Sequence, residues 1–298
     1  MSAPRPIHPD TRYLLTRRTT GRQFLLRPGD ETNQIVLYAL AYAALVTGVP
    51  VHAFVAMSNH IHVVVTDRLG NLPQFLHLLN RHIACCMNAS LGRTENFWSS
   101  NPPSVVALET DDDVLDRIAY VIANPTAAGL VTAPAQWPGA ITPVSGMRMT
   151  VPRPAVFFRP NGKMPASIDL EVTVPELASC DGVVDVVARL QVLVDEKLLA
   201  ARLAMADDGR TFLGRDRVLA TDRSSSASTP EPRRVRRPQL AARDRVRRCG
   251  AVDRLRAFRA HYGRAMRAWR EGNRGAVFPA GTYLMRVRHG VIVDPAPS

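Results

Sequence analysis

At 298 residues the chain has room for one large domain or two ordinary ones. Its hydrophobic content of 46% and charged content of 21% are globular. No apolar run approaches the roughly 18 residues of a membrane span, and nothing apolar follows the charges of MSAPRPIHPDTRYLL, so neither membrane partner nor secretory leader is expected.

RYLLTRRT (12–19) reads as a short strand running into a basic loop. ETNQIVLYALAYAALVTG (31–48) has helical apolar spacing, acids at its start and Gly48 at its end. VPVHAFVAM (49–57) and HIHVVVTD (60–67) are two β-rich runs joined at Ser58-Asn59, which predicts a tight hairpin. A second amphipathic helix covers 71–92, and PPSVVALET (102–110) is a fourth strand. A third helix, 111–125, opens on Asp111, Asp112 and Asp113, which favour its dipole, and Pro125 is expected to end it. The order β-α-β-β-α-β-α predicts an α+β, ferredoxin-like antiparallel sheet with helices on one face. Periodicity fades near residue 145, where this first domain (1–145) is expected to end.

Residues 146–220 read as a mixed extension with a long helix at 180–204. Residues 221–247 have the Arg/Pro/Ser composition of a mobile linker. The last segment, 248–298, predicts an Arg-rich helix (248–272) and a closing hairpin (276–293), and no internal repeat stands out. The net charge of +12 is uneven. Residues 1–150 hold 11 Arg against 10 acids, whereas residues 210–298 hold 21 Arg against 7 acids, a local +14. Such a block predicts a polyanion partner, with the helix at 248–272 as an auxiliary DNA-binding element. The four cysteines, Cys85, Cys86, Cys180 and Cys249, lack CxxC spacing, which argues against a disulfide or zinc framework and for a cytoplasmic location.

The chemistry-bearing residues lie in two places. His60 and His62 are two apart in a strand, so they share a face while Ile61 takes the other. Neutral imidazoles at that spacing can hold one divalent ion, although such a pair is also compatible with plain strand packing. Tyr120 and Asn124 are four apart on the third helix and share its face. The amide oxygen suits a hard ion such as magnesium or manganese, and the phenol could attack a phosphodiester. A phenol is a poor nucleophile near neutral pH, and a metal on the scissile phosphate compensates. His52, His77, His82, Cys85 and Cys86 read as packing or surface residues, Trp98 as a loop anchor, and Asp67 with the DDD run as cap chemistry.

MSNHIHVVV resembles the HUH motif (His, hydrophobic, His) of single-tyrosine transposases. AYVIANPTAAGLV resembles the segment with their nucleophilic tyrosine, and TRRTTGRQFLLRP looks like the first strand and loop of the REP-associated branch, the RAYT proteins. The likeness covers roughly residues 10–145, and Ser58 departs from it where the family usually has Pro. The resemblance implies an HUH transposase domain in which His60, His62 and Asn124 bind Mg2+ or Mn2+. Tyr120 would attack single-stranded or hairpin DNA, leaving a 5′-phosphotyrosine and a free 3′-hydroxyl. Arg17, Arg18 and Arg22 are the candidates for backbone contacts. Homodimer and monomer are both open. The alternatives are a non-cleaving hairpin-binding protein of the same fold, and a metal hydrolase that uses water. As exposed ligands, neither imidazole should be needed for folding.

Overall fold

A computed structural model describes residues 4–159, 162–228 and 238–295. The first seven elements follow the expected order: β1 (Thr11–Arg18), α1 (Asp30–Thr47), β2 (Val51–Met57), β3 (His60–Asp67), α2 (Leu72–Ser90), β4 (Ser104–Leu108) and α3 (Asp111–Ala127). The four strands lie side by side as β2-β3-β1-β4, every neighbour antiparallel. That is the order a split β-α-β arrangement requires, with β1 and β3 in the centre.

Each strand alternates between two cores. Ile61, Val63 and Val65 of β3 meet Tyr13 and Leu15 of β1, and α1 and α2 cover that face. Val64, Leu14, Val106, Ala53 and Val55 point to the other face, which α3 covers. The expectation of helices on one face is therefore corrected. The two helices that cross between strands share a face, whereas α3 follows the last of the four strands and returns along the opposite side.

Local chemistry sets the helix ends. Leu72, Phe75, Leu79, Ile83 and Met87 form the buried stripe of α2, each contributing about 1.5–3 kcal/mol. Its start is held by Asp67, whose carboxylate accepts the N–H groups of Asn71 (2.7 Å) and Leu72 (2.9 Å). Thr110 caps α3 by accepting the Asp113 N–H. Pro125 does not end α3. The helix runs on to Ala127, and the chain turns at Gly129, which takes a left-handed φ of 70°.

The sheet continues beyond residue 145. A hairpin of β5 (Met147–Pro152) and β6 (Ser167–Val172) joins the β2 edge through Val51 and Val172, and β7 (Leu240–Ala241) runs parallel to β4. The full order is β5-β6-β2-β3-β1-β4-β7. Prolines between β5 and β6 mask the clean burial alternation of β6. The long helix α4 (Gly182–Asp207) lays Val186, Leu190, Val194 and Leu198 against α3, and the short α5 (Arg215–Ala220) adds Val218 to the same core.

The segment with linker composition is tied down in its described parts. Arg223 donates to the Leu25 carbonyl (3.0 Å) and to Thr32 Oγ1 (3.1 Å), and the Phe24 N–H donates to the Ser225 carbonyl. Residues 229–237 lie outside the described residues. The Arg-rich helix is α6 (Arg245–Arg270). In place of the expected closing hairpin, Phe278 and Val293 meet in a parallel bridge with α7 (Leu284–His289) between them. A helix in the connection brings the second strip back in the same direction as the first. A small core of Phe278, Met285 and Val291 closes this end against Tyr262 and Trp269.

Candidate active site

Strand register dictates what faces α3. Thr16 stands opposite His62 and Arg18 opposite His60 on β1, while Ser104 stands opposite Thr16 on β4. All five side chains therefore emerge on the α3 face. On that face lies a cleft of about 600 Å³ whose lining includes His62, Thr16, Arg17, Arg18, Arg22, Arg117 and Tyr120. Among the described residues no acidic residue lines it. Its far wall is the 99–102 loop before β4.

The two imidazoles are close, with ring centroids 4.7 Å apart at 82°. His62 stands in turn against the Tyr120 ring at 5.3 Å, and the phenol oxygen is 3.4 Å from His62 Nε2. Tyr120 is half-buried, its hydroxyl open to the cleft rather than sealed in the core. His62 differs from an exposed ligand. It is only 5% exposed, and its Nδ1 pairs with Thr16 Oγ1 at 2.8 Å, so removing it leaves a hole as well as an unpaired hydroxyl.

His60 has a determined tautomer. The Asn59 amide nitrogen donates to the Arg22 carbonyl at 3.2 Å, which turns Asn59 Oδ1 toward His60 Nδ1 at 2.6 Å. An oxygen acceptor requires Nδ1 to hold the proton, so Nε2 presents its lone pair. Burial pushes the His60 pKa down to about 4, helped by the Arg18 and Arg22 guanidiniums. Burial first, then His60 and Arg18, holds His62 well below the usual imidazole range. Both rings are neutral at physiological pH, the form that binds a metal.

Asn124 is buried one turn beyond Tyr120, and its amide makes no hydrogen bond among the described residues. It does not line the cleft. Among the described residues no group of three or more His, Cys, Asp or Glu is placed to hold an ion.

The three predicted arginines share the cleft with the phenol. Arg17 donates to the Asn101 carbonyl and stands 5.7 Å over the Trp98 ring. Arg18 is exposed. Arg22 takes a left-handed φ of 56° directly after Gly21, which also has positive φ, a conformation that costs a side-chain-bearing residue about 1–3 kcal/mol and marks a built turn. Sequence reading missed Arg117, Thr16 and Asn59. Arg117 lies 6.0 Å over the Tyr120 ring, and its position three residues before the tyrosine on one helix was an available signal. Thr16 was visible only through strand register.

The remaining candidates pack as expected. His52 lies between Thr173 and Thr66, His82 stands edge-on to Tyr42 at 4.9 Å, Cys86 is buried, and Trp98 is anchored by its Nε1 on the Asn80 carbonyl.

Solved structures similar to this chain include two of transposase description. A REP-associated tyrosine transposase bound to a REP hairpin is 17% identical, covering 47% of this chain and 81% of its own at a TM-score of 0.40. A protein from Deinococcus radiodurans R1, described as a candidate transposase, is 20% identical, covering 36% of this chain and 85% of its own at a TM-score of 0.28. No protein-family model matches the chain, and no curated protein does. Among the described residues no helix is long and apolar enough to cross a membrane.

Proposed function

We propose that the protein is a DNA strand transferase of transposase type, acting on single-stranded or hairpin DNA with Tyr120 as nucleophile. The observation that supports this most is the meeting of the Tyr120 phenol with His62 in a cleft lined by Arg17, Arg18, Arg22 and Arg117. A cleft of one charge sign concentrates phosphate, and a phenol at 3.4 Å from an imidazole is close enough to share a bound group with it.

The donor set suits a divalent ion, Mg2+ or Mn2+. His60 would offer the Nε2 of a neutral ring, with His62 beside it on the same face; Asn124, buried one turn beyond Tyr120 and outside the cleft lining, would have to turn its amide oxygen toward them. When bound, the ion polarises the scissile phosphate and lowers the demand on the phenol. Arg17, Arg18, Arg22 and Arg117 hold the phosphates on either side. As the Tyr120 Oη–phosphorus bond forms, the bond from phosphorus to the 3′ oxygen breaks. The phenol proton leaves to water, and the 3′ oxygen takes one up. The phosphodiester is conserved as a 5′-phosphotyrosine, so attack by a 3′-hydroxyl reverses the step without ATP.

The test is a labelled hairpin with single-stranded flanks, incubated with the full chain and Mn2+ and run under denaturing conditions. The expected result is a covalent adduct that Tyr120→Phe cannot form while still binding the hairpin. The lost hydroxyl makes one contact, at 3.4 Å, so folding is unaffected. Cleavage by Tyr120→Phe without an adduct identifies a hydrolase using water. Hairpin binding without any cleavage by the wild type identifies a binding protein.

A further inference from the structure

The arginines of α6 are not scattered. Arg245-x-x-Arg248, Arg256-x-x-Arg259 and Arg267-x-x-Arg270 repeat one pair at an interval of 11 residues, a recurrence hidden in the sequence by the arginines between. At 100° per residue, 11 residues turn about 20° past three full turns, so the pairs stack in one stripe. The buried residues of the helix, Ala251, Phe258 and Ala265, lie on another side. Five of the six stripe arginines are exposed, and Arg259 is half-buried, bonded to Gln239. Arg245, Arg248, Arg267 and Arg270 make no hydrogen bond or ion pair through their side chains among the described residues. The helix contains one acid, Asp253, which is paired with Arg256 at 3.3 Å.

We infer that this stripe is a docking surface for double-helical DNA. With a rise of 1.5 Å per residue, the pairs stand about 16.5 Å apart and the outer two about 33 Å apart. A turn of duplex is about 34–36 Å. A rod laid along a duplex meets one strand and then the same strand again one turn on, so the two outer, unbonded pairs match that repeat; the complementary strand crosses between them, divided unequally by the two grooves, on the side of the middle pair. A flexible single strand has no such period, and a bilayer or an acidic protein surface does not require one. The amino end of α6 is held beside the cleft, because Arg243 pairs with Asp116 at 2.6 Å, next to Arg117. The inference concerns binding alone and stands whether or not Tyr120 attacks DNA.

The experiment measures affinity of the full chain for a 20-base-pair duplex and for a 20-nucleotide single strand across about 50–200 mM salt, without divalent metal, by fluorescence anisotropy. Two stripe variants, Arg245→Gln/Arg248→Gln and Arg267→Gln/Arg270→Gln, are compared with Arg247→Gln/Arg264→Gln, an equal charge loss from exposed positions off the stripe. Removing two phosphate contacts lowers the duplex salt slope by about 1.8, which shrinks the affinity loss over that range about tenfold. The expected result is that shift in both stripe variants, little change in the off-stripe variant, and little change for the single strand. Equal effects of stripe and off-stripe variants, equal loss on single and double strands, or unchanged duplex binding would each overturn the assignment. Melting temperatures like the wild type confirm that the variants are folded.

Discussion

Asn59 is the residue whose replacement most directly tests how the imidazole pair is prepared. Its backbone carbonyl receives the Thr19 N–H (2.9 Å) and hydroxyl (3.0 Å), and these bonds survive any side-chain change. Its side chain joins the Arg22 carbonyl to His60 Nδ1. Asn59→Ala therefore keeps the hairpin turn, where φ is not left-handed, but frees the His60 ring to rotate and exchange tautomers. Loss of such an outer partner costs a metal site about 10–100-fold in affinity, or about 1.4–2.8 kcal/mol, while the lost hydrogen bonds cost about 1 kcal/mol each in stability. Calorimetric titration with Mn2+ separates the two, with melting curves as the control. Asn59→Asp supplies an oxygen to His60 but no donor to Arg22, so it should retain metal affinity while loosening the Arg22 turn. If Asn59→Ala binds Mn2+ as tightly as the wild type while His60→Ala binds none, the second-layer role of Asn59 is wrong. If the wild type binds no Mn2+, the metal site itself is wrong.

Arg117→Gln removes one cleft guanidinium and should reduce the salt slope of single-strand binding by about 0.7, and it should slow adduct formation because Arg117 stands over the reacting ring. His52 donates from Nδ1 to the Thr173 carbonyl and accepts at Nε2 from Thr66; burial pushes its pKa down to about 4. Its folded pKa lies below its unfolded value, so the unfolded chain binds the proton first as pH falls. Stability should be flat above about pH 6.5 from this group and fall by about 3 kcal/mol between there and pH 4, a slope that His52→Gln reduces in denaturant titrations. Phe75→Ala empties a site in the α2 core and should cost about 3–5 kcal/mol, yet leave hairpin affinity unchanged below the melting temperature, since the cleft is on the opposite face.

The first seven elements and their strand order were legible because alternation in β1 to β4 and the stripe of α2 are clean two-residue and helical periods. The same periods put His60 with His62 on one strand face and Tyr120 with Asn124 on one helix face, but only the family resemblance implied that the two faces meet. Other parts were not legible, for particular reasons. The position of α3 across the sheet depends on which face the chain returns to, which no local pattern in 111–127 states. Val51 and Val172, and Leu108 and Ala241, are long-range edge pairings, and a two-residue strand such as β7 has too little sequence to announce itself. Arg223 looked like linker composition because its partners are the carbonyl of Leu25 and the hydroxyl of Thr32, and carbonyls are invisible to composition. Pro125 misled because the penalty for a proline falls on the helix four residues upstream, and near the carboxyl end little remains to be broken.

Charge shows most clearly why composition and surface differ. Residues 1–150 are nearly neutral by count, yet among the described residues every charged side chain lining their cleft is an arginine. The acids were not removed but used elsewhere. Asp67 caps α2, and the run Glu109–Asp116 serves as an anchoring strip for the extension. Asp111 receives the Ser179 N–H and Arg12, Asp113 the Arg243 N–H, Asp116 Lys197, Arg243 and its neighbour Arg117, and Glu109 Arg254. One strand end and one helix turn thus bind α4, the segment before α6, and α6 itself. Against its burial, Lys197 first, then Arg117 and Arg243, hold the Asp116 carboxylate below the ordinary range. Exposed members of such a set are worth little singly, but a shared, 8%-exposed carboxylate is worth more than any isolated surface pair. The same eight residues therefore do two things. They attach the basic extension, and they engage their carboxylates outside the cleft lining, where Arg17, Arg18, Arg22 and Arg117 stand together, Arg117 reaching back to Asp116 at 3.6 Å.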